Sequence, residues 1–340
     1  MSKSTLLVTG GAGFIGSNFI RYYLTQHPEA KIINLDLLTY AGNLSTLAEI
    51  ADNPNYRFVH GDIRDPRIVD QIMTDVDTVV HFAAETHVDR SIMEPAVFLQ
   101  TNIIGTQVLL DSALRHNVKR FHHISTDEVF GALELGTGEK FNEHTPYDPH
   151  SPYSASKAAS DHLVRAYGDT YGLPYTISNC SNNYGEYHFP EKMIPLAITN
   201  LIDGQKVPVY GDGLYIRDWL YVQDHARGID LILQNNATAK TYLFGGLYKD
   251  VNNLELIKMI LAIMKKDDSY IEHVLDRPGH DRRYSVDFSK TAAALDWQPS
   301  VDLQEGLERT VAWYQTHQDW WRPLKEKNKS YFVKQYQERN

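Results

Sequence analysis

Leu6-Leu7-Val8-Thr9-Gly10-Gly11-Ala12-Gly13-Phe14-Ile15-Gly16 is the stretch whose reading decides the fold. The apolar triplet predicts a short buried strand, the glycines a tight turn, and the spacing from Phe14 to Leu24 a helix. Gly11-Ala12-Gly13-Phe14-Ile15-Gly16 fits G-x-G-x-x-G in that context. The first glycines let the backbone turn sharply and approach a pyrophosphate held by the amides of the helix N-terminus. Gly16 lets the helix pack on the strand.

Outward from this unit the pattern repeats. Lys31-Ile32-Ile33-Asn34-Leu35-Asp36, Arg57-Phe58-Val59-His60, Thr78 to Phe82, Arg120 to Ile124 and Tyr175 to Ser178 read as strands. Helical patterns near 66–74, 96–115 and Tyr153–Tyr171 separate several of them. Strands alternating with helices need crossover connections and hence a parallel sheet. The expectation is an α/β protein, a Rossmann-like doubly wound parallel sheet over residues 1–180. After about residue 180 the pattern loosens into polar loops with Pro190, Pro195 and Pro208, then returns to amphipathic helices from Asn253 to Met264 and Leu303 to Tyr314. Residues 181–330 therefore read as a smaller, mainly substrate-binding region with some segments returning to the sheet, and 331–340 as a peripheral tail. A chain of 340 residues agrees with two domains at about 150 residues each.

Asp36 ends the second strand about 20 residues after Gly16, where a carboxylate binds the adenosine ribose hydroxyls of NAD and repels the 2′-phosphate of NADP. No Arg follows in Leu37-Leu38-Thr39, so NAD is the expected cofactor. Asp62, after the third strand, has two readings: a hydrogen bond to the adenine edge or a cap on the next helix.

With 42% hydrophobic and 22% charged residues, the composition excludes collagen-like, low-complexity and wholly disordered chains. A net charge of -10 argues against nucleic acid or an anionic membrane as partner, so local cations and backbone amides must hold any anionic ligand. No apolar run reaches the roughly 18 residues of a membrane span, and no signal-peptide pattern precedes the first strand. The single Cys180 cannot form an internal disulfide and reads as a small buried apolar residue. A cytoplasmic address is expected. The 15 histidines form no H-x-x-x-H or Cys/His cluster, so no metal is expected. Trp320-Trp321 reads as packing or interface.

Tyr153-Ser154-Ala155-Ser156-Lys157 puts Tyr153 and Lys157 one turn apart on one helix face. A nearby ammonium lowers a phenol's pKa and makes it a usable base. Alone, Y-x-x-x-K is usually a surface pair; behind a dinucleotide-binding turn it becomes more specific. Ser125-Thr126-Asp127-Glu128 follows a predicted strand, at the carboxyl edge where open α/β sheets bind ligands. Adjacent carboxylates there can divide acid and base roles, or the cluster can simply cap the next helical segment.

These motifs, together with Ala83-Ala84-Glu85-Thr86-His87-Val88-Asp89-Arg90-Ser91, Cys180-Ser181-Asn182-Asn183-Tyr184-Gly185, Phe189-Pro190-Glu191-Lys192, Arg217-Asp218-Trp219-Leu220 and Asp276-Arg277-Pro278-Gly279-His280-Asp281, resemble the extended short-chain dehydrogenase/reductases. More narrowly they resemble the dTDP-glucose 4,6-dehydratase family, over nearly the whole chain. Thr126-Asp127-Glu128 separates these dehydratases from sugar-nucleotide epimerases of the same fold. The resemblance implies an NAD-dependent hydro-lyase in which Tyr153, assisted by Lys157, deprotonates the glucose 4-hydroxyl, with Thr126 hydrogen-bonding nearby. Glu128 would remove the C5 proton and Asp127, protonated, would donate to the leaving 6-hydroxyl.

By the same resemblance the NAD site would be lined by Gly10, Gly13, Phe14, Ile15, Gly16, Asp36, Leu37, Leu38, Thr39, Asp62, Ile63, Ala83, Ala84, Thr101 and Asn183, beside Tyr153 and Lys157. The nucleotide sugar would meet Thr86, Thr126, Asn182, Lys192, Met193, Pro208, Val209, Tyr210, Arg217, Asn253, Asp276, Arg277 and His280. Arg217 can pair with diphosphate oxygens and Lys192 can supply a second cation; the bland alternative is an Arg paired with a local Asp and a solvated Lys. A homodimer through the helices near 96–115 and 153–171 and a place in dTDP-rhamnose supply are also implied. Three positions depart from the family pattern. Thr86 stands where serine is usual, Glu186 replaces a proline and adds negative charge near an anionic site, and the 245–253 loop is one residue longer, leaving Asn252 and Asn253 both in register.

Overall fold

Eleven strands were found in the computed structural model, which describes residues 4–235, 241–276 and 279–328. They are β1 (Thr5–Thr9), β2 (Lys31–Asp36), β3 (Tyr56–His60), β4 (Thr78–His81), β5 (Arg120–Thr126), β6 (Tyr175–Cys180), β7 (Asn182–Tyr184), β8 (Val207–Tyr210), β9 (Trp219–Tyr221), β10 (Thr241–Phe244) and β11 (Ile271–Val274). Seven form the main sheet in the order β10-β6-β5-β4-β1-β2-β3, every pair parallel. The winding leaves β1 in two directions, first to β2 and β3 and then to β4, β5, β6 and β10. The switch point between β1 and β4 is where such sheets open a ligand crevice at their carboxyl edge.

Alternation along β1 sorts the two faces. Leu7, with Leu35, Val79, Phe121 and Ile177, packs under Leu109, Leu110 and Val164 from the helices Thr106–Arg115 and Pro152–Tyr171. Leu6 and Val8 pack with Ile32, Val80 and Ile124 against Phe19 and Ile20 of Phe14–Gln26 and Ala226 and Ile229 of Val222–Gln234. Burial of these apolar faces, at about 25 cal/mol per Å², is the main force holding the helices on the sheet. Ser151 caps Pro152–Tyr171 in a reciprocal capping box with Ser154, which fixes where the Tyr153–Lys157 turn begins.

The chain's later part builds a second core, in which Ile194, Ile198, Leu256, Ile260, Leu307, Val311 and Trp321 surround Tyr184 and Tyr221. Two parallel strand pairs, β7 with β9 and β8 with β11, cross it. Two later segments, Val222–Gln234 and β10, return to the main sheet. Trp321 is fully buried, its indole N–H donating to the Tyr314 carbonyl, so Trp320-Trp321 is packing at least at its second member. The helix expected over 96–115 is interrupted: Pro95–Phe98 leads into a π-helical stretch, Leu99–Gly105, before Thr106–Arg115. Asn102 in that stretch exchanges two hydrogen bonds with the Glu85 backbone and donates to Ser156, tying it to the loop after β4. Residues 331–340 lie outside the described residues.

Candidate active site

The carboxyl ends of β1, β2, β4, β5 and β6 open into one elongated cleft that runs from the glycine turn to the second core. Gly10, at φ +72°, makes the turn, and a Cβ there would lie 2.6 Å from the Ala83 nitrogen. At Gly16 a Cβ would sit 2.5 Å from the Gly10 carbonyl, so this glycine serves helix-to-strand packing. Gly13 differs: its Cβ position meets only the Gly10 carbonyl at 3.3 Å and otherwise looks into open space. Gly13 caps the helix with no side chain, leaving the first-turn amides for a ligand.

Asp36 accepts the Ala12 and Leu38 N–H groups at 2.9 and 2.8 Å, one on each oxygen. Burial pushes its carboxyl up, opposed by those two bonds. Each oxygen still has a lone pair for a ligand hydroxyl. Asp62 does not cap the next helix; Asp65 does, accepting from Arg67 N–H. Asp62 instead lines the cleft and binds the Arg64 guanidinium through both oxygens, which outweighs partial burial and holds it below the usual carboxylate range.

At the end of β5 the Thr126 hydroxyl receives the Glu128 N–H at 3.2 Å and donates to Asp127 Oδ1 at 3.2 Å. Thus the cluster is both a cap, over the short 3₁₀ turn Asp127–Phe130, and part of the cleft wall. Asp127 is 1% exposed; burial, then the charges of Glu128 and Asp218, drive its carboxyl well above the ordinary range, against the pull of Arg217. That shift favours the protonated acid. Its Oδ2 is buried with no hydrogen-bond partner, as are Asn182 Oδ1 and Asn253 Oδ1. Buried unpaired oxygens on one cleft wall are what a ligand rich in hydroxyl and amide donors would satisfy.

Tyr153 and Lys157 both face this cleft. Lys157 donates to the Ile124 carbonyl at 2.7 Å, and burial brings its ammonium down to about 8. The expectation that Lys157 lowers the Tyr153 pKa is corrected. Burial, then the nearby Glu128 charge, pushes the phenol well up, and the Thr126 hydroxyl beside it is the opposing influence. Desolvation of a wholly buried phenolate exceeds what one spacing rule predicts.

On the far side, Arg217 is 6% exposed, donates to the Ile216 and Asp281 carbonyls at 2.7 and 3.0 Å, and lies 4.3 Å over the Tyr284 ring. The simple Arg217–Asp218 pair is not what forms: Asp218 turns to the backbone N–H groups of Gly246, Leu247 and Val286, with burial raising it to about 6. His280 stacks on Tyr215 at 3.7 Å and binds Asp276 at 2.7 Å. Lys192 Nζ reaches the Thr86 carbonyl at 3.4 Å.

Of the residues expected in the site, Gly10, Gly13, Phe14, Ile15, Gly16, Asp36, Leu37, Thr39, Asp62, Ile63, Ala83, Ala84, Thr86, Thr101, Thr126, Asp127, Glu128, Tyr153, Lys157, Asn182, Asn183, Lys192, Met193, Pro208, Val209, Tyr210, Arg217, Asn253 and His280 line the cleft. Leu38 does not: its backbone takes a left-handed φ of 54° and serves Asp36 through its N–H. Asp276 stands behind His280, and Arg277 lies outside the described residues. Asn253 reaches the cleft while Asn252 caps its helix, accepting from Glu255 N–H. Glu186 is not among the residues lining the cleft; its carboxylate accepts the Tyr221 hydroxyl at 2.5 Å and its carbonyl receives Asn18.

Cys180 is buried, its thiol raised to about 12 by burial first. Sequence reasoning missed Tyr284, Tyr40 and His188 and gave no role to Glu191 within its motif. Arg90 binds Glu191 at 3.1 Å and lies over Tyr40, and His188 stacks on Phe14 at 4.2 Å. No local motif announces such contacts, since their partners come from distant segments. No group of His, Cys, Asp and Glu suited to a metal ion occurs among the described residues.

The family model for GDP-mannose 4,6 dehydratase matches residues 7–310. A dTDP-glucose 4,6-dehydratase of Actinoplanes sp. is 49% identical over 321 residues, covering 93% of this chain and 99% of its own length. Its counterpart in Neisseria meningitidis serogroup B is also 49% identical, with coverage of 93% and 94%. Among solved structures, the dTDP-glucose 4,6-dehydratase DesIV from Streptomyces venezuelae, with NAD and TDP bound, superposes with a TM-score of 0.91 at 48% identity, covering 94% of this chain and 99% of that one. A UDP-glucose 4-epimerase from Thermotoga maritima shares the fold at a TM-score of 0.84 but only 29% identity, covering 92% and 98%. The acidic pair at the end of β5, the Tyr153–Lys157 turn and these likenesses agree, and the chain belongs to the dTDP-glucose 4,6-dehydratase family.

Proposed function

We propose that this chain converts dTDP-glucose into dTDP-4-keto-6-deoxyglucose and water, by oxidation at C4, elimination across C5 and C6, and reduction at C6. The observation that carries the reading is Asp127, buried with an unpartnered Oδ2 and its carboxyl pushed up by that burial, beside Glu128 on the strand end that also meets Tyr153. An epimerase has no use for an acid and a base at C6 and C5.

NAD fits the glycine turn: Gly13 leaves the volume a Cβ would fill, and Asp36 retains acceptor capacity for ribose hydroxyls. When bound, NAD supplies the hydride acceptor and a cationic ring whose charge favours the Tyr153 phenolate. The remaining chemistry falls to the chain. Tyr153 takes the proton of the 4-hydroxyl while Thr126 holds that hydroxyl. The 4-keto group acidifies C5, Glu128 removes its proton, and Asp127 protonates the departing 6-hydroxyl. Glu128 returns a proton to C5 once hydride reaches C6. Arg217 and Lys192 hold the diphosphate, and Asn253, Tyr210 and His280 the nucleoside end.

Beyond the chemistry, the reading places the chain as a cytoplasmic homodimer supplying deoxysugar precursors such as dTDP-rhamnose. Exposed Ile92, Met93, Val97, Leu99 and Ile104 on the 88–105 segment support self-association there. No helix among the described residues is long and apolar enough to cross a membrane. The test is incubation with dTDP-glucose and, separately, UDP-glucose, followed by mass spectrometry for loss of water. A dehydrated product from dTDP-glucose is expected; no product from either sugar would refute the assignment.

A further inference from the structure

Below Lys157, outside the cleft lining, lies an acid that none of these steps uses. Asp161 sits one turn after Lys157 on the same face of Pro152–Tyr171 and is wholly buried. Its Oδ1 is 3.2 Å from His123 Nε2 of β5, and that same nitrogen is 3.4 Å from Lys157 Nζ. Its Oδ2 is fixed by the hydroxyls of Ser125 and Tyr147, both at 2.8 Å, and by Asn179 Nδ2 at 3.3 Å. Three residues from three segments thus fix Oδ2, while Oδ1, on the side of His123 and Lys157, has no hydrogen-bond partner.

The other titratable groups around Lys157 come from every packed element. They are Tyr153 on its own helix, His123 on β5, His81 on β4 with its ring 5.2 Å from that of His123, and Cys180 on β6. Arg165 and Tyr147 lie beyond Asp161. Burial first, and then the neighbouring cations, hold His81 and His123 far below their usual values, so both are neutral near pH 7. Cys180 is a thiol. Asp161 stays below the ordinary carboxylate range because His123, Lys157 and Ser125 outweigh its burial. A buried lysine would otherwise discharge; burial takes Lys157 to about 8, and Asp161 is the first influence opposing that fall.

We propose that Asp161, wholly buried one turn beyond Lys157, is the fixed counter-charge that keeps Lys157 protonated, and so sets the pH range in which the Tyr153–Lys157 base operates. The proposal rests on the reading of Tyr153 and Lys157 as that base. Asp161 touches no reacting atom; it is a positioning residue acting through the lysine.

The test is Asp161→Asn in the full chain, which preserves shape and an acceptor oxygen. The alkaline limb of the kcat profile for dTDP-glucose should move down by about one pH unit, with KM changed less than about two-fold. An unmoved limb overturns the proposal. A thermal cycle with Lys157→Met guards against a poorly folded single variant. Lys157→Met should lower Tm by stranding a buried carboxylate, and adding Asp161→Asn should recover part of the loss. Additive losses of Tm overturn it. If the parent forms no product, the dehydratase reading fails while this cycle still decides the pairing.

Discussion

The half of the cleft proposed for the cofactor and the half proposed for the sugar are built by different means. The cofactor half is mostly backbone from one short stretch, in which Gly10, Gly13 and Gly16 set the turn, the opening and the packing, and Asp36 closes it through two N–H groups. The sugar half is side chains from segments far apart: Arg217 before β9, Asn253 at a helix start, His280 and Tyr284 after β11, each locked by its own neighbours. A turn tolerates change only where its missing side chain faces the ligand. A convergent side-chain wall tolerates it wherever a partner can follow.

The halves meet at the end of β5, and the largest effect is expected there. Glu128→Gln should lower kcat by about 10²- to 10⁴-fold. Oxidation at C4 should persist while solvent deuterium no longer enters C5; unchanged C5 exchange, read by NMR, would remove Glu128 as the base. Next come the glycines, which sharpen the contrast within the cofactor half. Gly13→Ala should fold with a Tm near the parent's yet bind NAD at least roughly ten-fold more weakly, about 1.4 kcal/mol. Gly16→Ala should lose about 1–3 kcal/mol of stability, because its Cβ would sit 2.5 Å from a carbonyl. Equal Tm losses for both would break the distinction.

In the sugar half, Arg217→Lys loses the planar fork and should raise KM for dTDP-glucose about ten-fold with kcat little changed, in steady-state kinetics. The smallest effect is in pH. Lys157 acts as a cation with its value at about 8, so its charged fraction, and with it kcat, falls as pH rises through that value. A profile flat to pH 10 would contradict this.

How much was legible in the sequence follows the same division. The winding of β1 to β6, the glycine turn and Asp36 follow from local motifs and strand spacing, whereas the rest of the cofactor wall came from the family resemblance. The return of β10 to the sheet is not written in any pattern near residue 241, since it is fixed by packing on β6. Asp62 had two readings, and Asp65 removes one of them by taking the helix cap. The Tyr153 shift went the other way from expectation because burial, a property of the whole fold, outweighs one nearby ammonium. Tyr284 carried no signal, and Glu191 only its place in the Phe189–Lys192 motif, as their meaning lies in Arg217 and Arg90, distant in the chain.

The account's central claim is that one cleft oxidises C4, removes water across C5 and C6, and returns the same hydride to C6. Its most direct test is turnover of dTDP-glucose carrying deuterium at C4, with the product read by NMR and mass spectrometry. The account predicts a dehydrated product with the deuterium at C6. Deuterium retained at C4 in an undehydrated sugar, or lost to solvent, would contradict it.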